Sequence, residues 1–286
     1  MAPMATLTQL ILYPIKSCAG MAVASATLLE SGLMAEGVHD REWMLVTDDG
    51  QFLTQREHPR MALIVPRPEH GFLRVRGPAP VQDDLLLPLA WIDTAPLRTV
   101  RIWDDRVYAV DCGDAAAEWF SAALGVRCRL VRFPSGIVRP TSVKWTNGVP
   151  SQTRFSDGYP LLLIGQASLD DLNARLRAAG RAPLAMDRFR PNLVVDGIEA
   201  YEEDYVSLLA ADGVAIRPVK PCARCPIPAI DQATGIPGPD PLDILQSYRA
   251  NPRLDGGICL GMNCIVGAGA GQLLHAGLEL DFDLAF

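Results

Sequence analysis

Several features that would place a protein in a specialised class are missing from this chain of 286 residues. No uncharged apolar run approaches the roughly 18 residues that a membrane-spanning helix needs. No segment repeats with the period of a collagen or a coiled coil. Residues 1–9 lack the basic leader and apolar stretch of a secretory signal. We therefore expect a cytoplasmic protein with no membrane partner.

Histidine and positive charge are both scarce. Lys and Arg total 26 against 33 Asp and Glu, which leaves a net charge of −7. Because nucleic-acid binding relies on cations that displace counterions, this balance argues against a nucleic-acid partner, although a local basic pocket is compatible with it. The chain has only four histidines, none near another, and we assign none of them a catalytic role; they are His39, His58, His70 and His275.

The remaining composition is that of a globular protein that contains reactive thiols. Apolar residues make up 49% and charged residues 21%, both close to ordinary globular values, and the length is sufficient to bury a core without cross-links. Seven cysteines, an odd number, occur without an export signal. We therefore expect thiols that serve a metal or a reaction rather than a disulfide framework.

The pattern of apolar residues predicts an α+β fold that is predominantly β. Prolines and glycines cut the chain into short apolar pieces, which is typical of antiparallel sheets or barrels. The predicted strands are residues 6–13, 43–47, 62–66, 73–76, 98–103, 192–195, 206–209, 214–218 and 259–266. The predicted helices are residues 114–124, 166–179 and 241–250. Residues 133–157 are predicted to be a linker or a long loop that joins two halves.

The strongest chemical motif is a pair of cysteines, Cys222 and Cys225, with Arg224 between them. A cationic neighbour favours the thiolate, which is the form that ligates metals or attacks. The motif alone is compatible with a dithiol redox pair, with one thiolate ligand for a soft metal held by a cofactor, or with two buried cysteines. It is also compatible with a structural zinc site that Cys259 and Cys264 would complete.

Cations recur where predicted strands begin or end, in a chain that is acidic overall. They are Lys16 (followed by Ser17), Arg41, Arg56, Arg188, Arg190 (followed by Asn192 at a strand entrance) and Arg224. Side chains two positions apart on an extended segment point the same way, so Arg188 and Arg190 are expected to face one site. Together these residues predict a cationic pocket suited to an anion such as a phosphate.

Six segments, taken in order, resemble the MOSC family, specifically its members with an N-terminal MOSC β-barrel domain. That subgroup includes the mitochondrial amidoxime-reducing component and bacterial relatives. Each segment alone is a weak signal, but all six in the family's order are specific. They are residues 12–20 (LYPIKSCAG), 40–46 (DREWMLV), 155–173 (FSDGYPLLLIGQASLDDLN), 189–192 (FRPN), 222–235 (CARCPIPAIDQATG) and 261–266 (GMNCIV).

This resemblance implies two β-barrel-like units with a few peripheral helices, an N-terminal MOSC barrel over residues 1–125 and a MOSC domain over 126–286. It also implies a molybdenum cofactor, Mo-molybdopterin, with Cys225 as the metal ligand and catalytic residue and Cys222 as a non-ligand. The cofactor-binding residues implied by the match are Lys16, Ser17, Arg41, Ser156, Asp157, Arg190, Asn192 and Arg224.

The implied activity is the reduction of a small N-hydroxylated substrate, N–OH to N–H, with electrons from a separate flavin or iron–sulfur protein. An alternative is a sulfur-carrier or cofactor-delivery module that uses Cys225 as a persulfide, because the domain also occurs fused to sulfurases that bind pyridoxal phosphate. A third possibility is a zinc-stabilised β-protein that binds a partner. The chain departs from the family where relatives usually read Val-Asp-Pro: it has Ile230, Asp231 and Gln232. Pro226 also stands where an aliphatic or β-branched residue is expected.

Overall fold

The computed structural model describes residues 3–90 and 96–285. Strands of the first half are β1 (Met4–Leu12), β2 (Met21–Val23), β3 (Ser25–Leu29), β4 (Gly32–Ala35), β5 (Val38–His39), β6 (Trp43–Val46), β7 (Val65–Glu69), β8 (Phe72–Arg76), β9 (Leu85–Pro88), β10 (Leu97–Ile102), β11 (Asp105–Asp111) and β12 (Arg129–Arg132). Those of the second half are β13 (Arg139–Pro140), β14 (Gln152–Thr153), β15 (Leu161–Gly165), β16 (Leu193–Asp196), β17 (Val206–Ala211), β18 (Val214–Ala223), β19 (Ala250–Asn251), β20 (Gly257–Ala268), β21 (Leu273–His275) and β22 (Leu278–Leu284).

Three α-helices and five short 3-10 helices lie between these strands in the described chain. The α-helices are α1 (Asp114–Leu124), α2 (Gln166–Ala178) and α3 (Leu242–Arg249), and the 3-10 helices are Pro59–Leu63, Met186–Phe189, Glu202–Asp204, Ile227–Ala229 and Pro252–Leu254. None of the described helices is both long and apolar enough to cross a membrane. The cytoplasmic location stays a prediction.

Seven strands close into a barrel in the order β15, β16, β1, β22, β17, β18 and β20, with β20 pairing back to β15. All neighbours are antiparallel except β15 and β16, which are parallel. The barrel encloses an apolar core that includes Leu7, Leu163 and Ile216. Strand β1 therefore comes from the first twelve residues but belongs to a barrel whose other strands follow residue 160. The domain boundary at residues 125 and 126 stays a prediction.

Strand β1 ends in an apolar run rather than in a simple alternation of buried and exposed residues. A register shift against β16 lies between Leu7 and Gln9, and the last residues of the strand are all buried. Leu10 and Leu12 belong to the barrel core, whereas Ile11 packs with the residues of α2 and α3 on the outside. Both faces of the strand are therefore covered at its end, and the alternation of polar and apolar residues seen from Ala5 to Thr8 stops there for that reason.

Smaller sheets lie beside the barrel, and two of them pack on a second core. Strands β10, β11, β12 and β6 form one of these two sheets and β7, β8 and β9 the other. The sheet of β5, β4, β3 and β21 packs mainly on the barrel core, through Leu28 and Leu33. Helix α1 closes the second core with Phe120, and Gly125 ends the helix in the left-handed conformation that glycine favours. The predicted fold, predominantly β with two barrel-like units, is confirmed.

Most predicted elements are confirmed within a few residues, and two predictions are wrong in detail. Residues 62–66 are not one strand: a 3-10 helix occupies Pro59–Leu63 and β7 begins at Val65. Pro59 favours the helical turn, because its ring fixes φ near the helical value and the first turn needs no N–H there. The segment 133–157 is not entirely irregular either, since β13 and β14 pair within it.

Candidate active site

One cavity of about 290 Å³ gathers all nine residues predicted for the site. They are Lys16, Ser17, Arg41, Ser156, Asp157, Arg190, Asn192, Arg224 and Cys225. The two halves of the chain both contribute residues to the walls of this cavity. The volume lies near the lower end of the range for ligand pockets.

Backbone hydrogen bonds between two segments of the first half position Lys16 and Arg41. The amide of Lys16 donates to the carbonyl of Trp43 (2.8 Å), and the amide of Arg41 donates to the carbonyl of Tyr13 (2.8 Å). The carbonyl of Arg41 in turn accepts a hydrogen bond from the amide of Phe155 (3.0 Å), which directly precedes the cavity residues Ser156 and Asp157. The two cations are therefore fixed by main-chain contacts rather than by side-chain packing alone.

Lys16 is a buried cation that faces an exposed anion. Its Nζ donates to Oδ1 of Asp157 (2.5 Å) and to the carbonyl of Phe155 (2.9 Å). Burial lowers the pKa of Lys16, and the neighbouring carboxylate only partly offsets this effect. An ammonium group has three donors, so one N–H of Lys16 is available to a ligand in the cavity.

Arg41 and Asn192 are joined in a network that engages both N–H groups on Nη1 of Arg41. Nη1 of Arg41 donates to Oδ2 of Asp40 (2.5 Å) and to Oδ1 of Asn192 (3.1 Å). The amide nitrogen of Asn192 donates to the carbonyl of Ile11 (3.0 Å). Asn192 therefore ties Arg41 to β1 and acts mainly as a positioning residue.

Arg190 carries a buried charge without a counter-charge. No carboxylate of a described residue lies within 4.0 Å of it, and its Nη1 is buried with no hydrogen-bond partner in residues 3–90 and 96–285. Its guanidinium lies over the ring of Tyr13 at 4.2 Å, and burial lowers the pKa of Arg190. A buried, unsatisfied cationic donor is costly, so this group is suited to an anion that enters the cavity.

The two cysteines of the motif have different surroundings. Nη1 of Arg224 donates to Sγ of Cys222 (3.2 Å), and Nη2 donates to the carbonyl of Phe189 (2.7 Å). Sγ of Cys225 accepts and donates no hydrogen bond within the part of the chain that the structure describes, and the residue lines the cavity. Cys225 thus presents a sulfur that is available to a ligand, whereas Cys222 is held by the arginine.

Backbone conformation marks the same cavity. Ten non-glycine residues of the described chain have positive φ, and four of them line the cavity: Ser17, Arg41, Trp103 and Arg190. Left-handed conformations cost energy in residues with a Cβ, and they cluster where a site over-determines the backbone. The clustering is evidence, independent of side-chain type, that this cavity is the functional site.

Arg188 does not face the cavity, so the expectation that it points the same way as Arg190 is wrong. The segment Met186–Phe189 is a 3-10 helix and Arg190 is left-handed, whereas the expectation assumed an extended chain. Arg188 instead binds Oδ2 of Asp231 (2.7 Å) and the carbonyl of Ala229 (3.1 Å). It therefore anchors the loop that follows Cys225.

The departure from the family pattern at Gln232 has a structural counterpart. The side-chain amides of Gln232 and Gln55 form two reciprocal hydrogen bonds, of 3.1 and 3.2 Å. A proline at 232 has no side-chain amide and cannot form this pair. The loop after Cys225 is thereby attached to the first half, directly beside Arg56.

Sequence reasoning missed the wall formed by Phe52, Thr54 and Trp103, all of which line the cavity. Trp103 was expected to end a strand, but it occupies the turn between β10 and β11 with φ 52°. Its indole N–H donates to Oδ1 of Asp157 (3.1 Å), and its ring meets that of Phe52 edge to face at 5.2 Å. The aspartates that follow it signal a turn but do not indicate where the ring points.

No group of three or more His, Cys, Asp or Glu within the described ranges is placed to hold a metal ion. The zinc site that Cys259 and Cys264 would complete is therefore not formed by these residues. Both lie buried in β20, where burial raises the pKa of Cys259 to about 11 and also raises that of Cys264. They are thus core cysteines rather than metal ligands.

Comparison with known proteins adds to this geometry. Residues 4–127 match the family described as "MOSC N-terminal beta barrel domain", and residues 150–274 match "MOSC domain". Mitochondrial amidoxime-reducing component 1 of Mus musculus is 36% identical over 249 residues, which cover 85% of this chain and 71% of that protein. Mitochondrial amidoxime reducing component 2 of Homo sapiens is 37% identical over 248 residues, 85% of this chain and 72% of that protein.

A solved structure also aligns with almost the whole chain, although at low similarity. The crystal structure of the YuaD protein from Bacillus subtilis covers 99% of this chain and 97% of that chain, with 10% identity and a TM-score of 0.41. The identities to the amidoxime-reducing components extend over most of both chains. The chain belongs to the MOSC family, in the group of the mitochondrial amidoxime-reducing components.

Proposed function

We propose that this protein is a molybdenum-dependent oxidoreductase that reduces N-hydroxylated compounds. Its relatives are named for amidoxime reduction, and its cavity combines an available sulfur with cations that lack counter-charges. The net reaction takes N–OH, two electrons and two protons to N–H and water. The electrons come from a separate flavin or iron–sulfur protein.

The donors of the cavity fit the phosphate of a pterin cofactor. Nη1 of Arg190 and Nε of Arg224 are buried and lack a hydrogen-bond partner among the described residues. A phosphate group offers acceptor oxygens and negative charge, which such guanidiniums bind strongly. The remaining N–H of Lys16 is a further donor toward the same anion.

The sulfur of Cys225 fits a soft metal. Thiolate ligands select soft metals and metals in sulfur-rich sites, and this sulfur is not engaged by another described residue. When bound, the cofactor supplies the redox chemistry that removes oxygen from nitrogen. The chain supplies one sulfur ligand, holds the phosphate, and fixes Arg41 through Asn192 so that the cavity keeps its shape.

The observation that carries this proposal is that all nine predicted residues line one cavity with Cys225 unengaged. The test compares Cys225→Ser with Cys222→Ser, a matched control three positions away. We expect Cys225→Ser to lose bound molybdenum and at least about 100-fold of benzamidoxime reduction, more than the loss usual for residues that only support a metal ligand. Cys222→Ser should retain most of both.

Other outcomes point to other functions. Equal losses in the two variants would favour a dithiol site over a single metal ligand. A wild-type protein purified from a molybdenum-replete host with a persulfide mass increment on Cys225, and no molybdenum, would favour the sulfur-carrier function. Elemental analysis and intact-mass spectrometry of the same samples separate these cases.

A further inference from the structure

One cation of the cavity, Arg56, takes no part in the hydrogen-bond network of Arg41 and Asn192. Arg56 lines the cavity from the first half, in the turn between Thr54 and Glu57. No carboxylate of the described residues lies within 4.0 Å of its guanidinium. Among the described residues its guanidinium donates a hydrogen bond only to Thr54, whereas that of Arg224 donates to the carbonyl of Phe189 (2.7 Å).

The guanidinium of Arg56 is held in a fixed orientation by two neighbours. Its Nε donates to Oγ1 of Thr54 (3.3 Å), whose hydroxyl also accepts from the backbone amide of Arg56 (3.1 Å). Its face lies over the ring of Trp103 at 4.6 Å. Stacking occupies the face of a guanidinium and leaves the donors at its edge available.

Trp103 is itself fixed as a platform. It is 43% exposed, is strained at φ 52°, and is held by its indole N–H on Asp157 and by its contact with Phe52. An exposed tryptophan in a left-handed turn is a costly arrangement. Here the Trp103 ring and the Arg56 guanidinium stacked on it both line the cavity.

The segment that carries Arg56 is joined to the loop that follows Cys225. Gln55, the residue before Arg56, is fully buried and forms the reciprocal amide pair with Gln232, which lies seven residues after Cys225. Arg56 is therefore carried by a segment that is bound to the loop of Cys225. Arg190 and Arg224, which the proposed function assigns to the phosphate, come from the second half of the chain.

We propose that Arg56, stacked on Trp103, recognises a carboxylate on the substrate, so that the enzyme prefers planar N-hydroxylated substrates that carry an acidic group. The N–H groups at the edge of the guanidinium donate to the two oxygens of a carboxylate, and the Trp103 ring packs against the flat part of the same molecule. This inference rests on the proposed function and adds the substrate class.

The experiment compares the kcat/KM for 4-carboxybenzamidoxime with that for uncharged benzamidoxime. In the wild-type enzyme the ratio should exceed one, and in Arg56→Gln it should fall about tenfold, the loss expected for one hydrogen-bonded charge pair. Arg56→Lys keeps the charge but not the planar fork, and it should fall between the two. Arg101→Gln is the matched control: Arg101 lies on the strand that leads to Trp103 but does not line the cavity, so its ratio should equal that of the wild type.

Three outcomes would overturn the inference: a wild-type ratio of one or less, a ratio that Arg56→Gln leaves unchanged, or a loss of molybdenum and pterin from Arg56→Gln. The last result would assign Arg56 to the cofactor. Titration of both compounds by tryptophan fluorescence separates this inference from the proposed function. If 4-carboxybenzamidoxime binds in a way that depends on Arg56 but neither compound is turned over, the carboxylate site stands and the proposed reductase activity is refuted. If benzamidoxime is turned over and the carboxylate gives no preference, the reductase activity stands and the carboxylate site is refuted.

Discussion

Two buried arginines, Arg132 in the core of the first half and Arg190 in the cavity, illustrate opposite uses of the same side chain. Arg132 donates from Nε to Oε1 of Glu42 (2.7 Å), which is itself buried, and from Nη2 to the carbonyl of Leu89 (2.9 Å). Arg190 is as deeply buried but has a ring beside it and no carboxylate among the described residues within 4.0 Å. The comparison shows that burial alone does not identify a cation that can take an external anion, whereas burial together with a missing counter-charge marks Arg190 as one.

A third buried group shows why this criterion applies to arginine in particular. Glu203 is fully buried, accepts hydrogen bonds from Ser168 (2.7 Å) and the amide of Gly165 (3.3 Å), and has no cation of a described residue within 4.0 Å. Burial raises the pKa of Glu203 to about 7. A carboxyl group can relieve its isolation by binding a proton, but an arginine keeps its charge throughout the physiological range. Only the arginine therefore needs an external anion.

The largest effect is expected where the paired arginine loses its partner. Glu42→Gln removes the negative charge but keeps the size, so the buried Arg132 loses its carboxylate partner. We expect the free energy of unfolding to fall by about 3–5 kcal/mol, measured by urea denaturation. The double variant Glu42→Leu with Arg132→Met should recover much of this loss; a double variant as unstable as the single one would show that the pair has another role.

Arg190→Met should give the contrasting result. Because this arginine has no counter-charge, its removal should leave the free energy of unfolding of the cofactor-free protein unchanged or slightly higher. Retention of molybdenum and pterin should fall roughly 10- to 100-fold, the range expected for one hydrogen bond to a charged group. A variant that unfolds, or one that keeps full cofactor content, would contradict the assignment of Arg190 to the phosphate.

The raised pKa of the Glu203 carboxyl group makes the stability of the folded protein depend on pH. The folded protein holds this proton up to about pH 7, whereas the ordinary pKa of the group is 4.5. The folded state therefore binds more protons between these values, and stability falls as the pH rises through them. We expect a loss of roughly 2 kcal/mol between pH 5 and pH 8 that is absent in Glu203→Gln, measured by urea denaturation at each pH. Parallel pH profiles for the two proteins would refute it.

Much of the fold could be predicted because its signals are local, and most of the site because six segments along the chain together match one family pattern. Leu169, Leu172 and Leu176 follow one another at helical spacing within the predicted helix 166–179, and all three are buried in the same core cluster. The family resemblance marked nine residues that line one cavity. Arg188 was misplaced because its direction depends on a 3-10 turn that the spacing alone does not reveal.

The features that escaped prediction depend on contacts between distant segments. Gln55 and Gln232 are 177 positions apart, and neither residue type indicates its partner. Trp103 reaches the cavity only because the turn between β10 and β11 is placed beside Asp157, 54 positions later. Such contacts follow from the packing of whole sheets, which no short window of sequence contains.

The barrel draws neighbouring strands from opposite ends of the chain: β1 pairs with β22, with Met4 opposite Asp281. Neither strand lies within residues 150–274, the range of the MOSC match. A fragment cut at those limits would leave β16 and β17 with open edges, which invite pairing with other molecules. During synthesis on the ribosome, β1 must likewise wait until β22 has been made before the ring of strands can close.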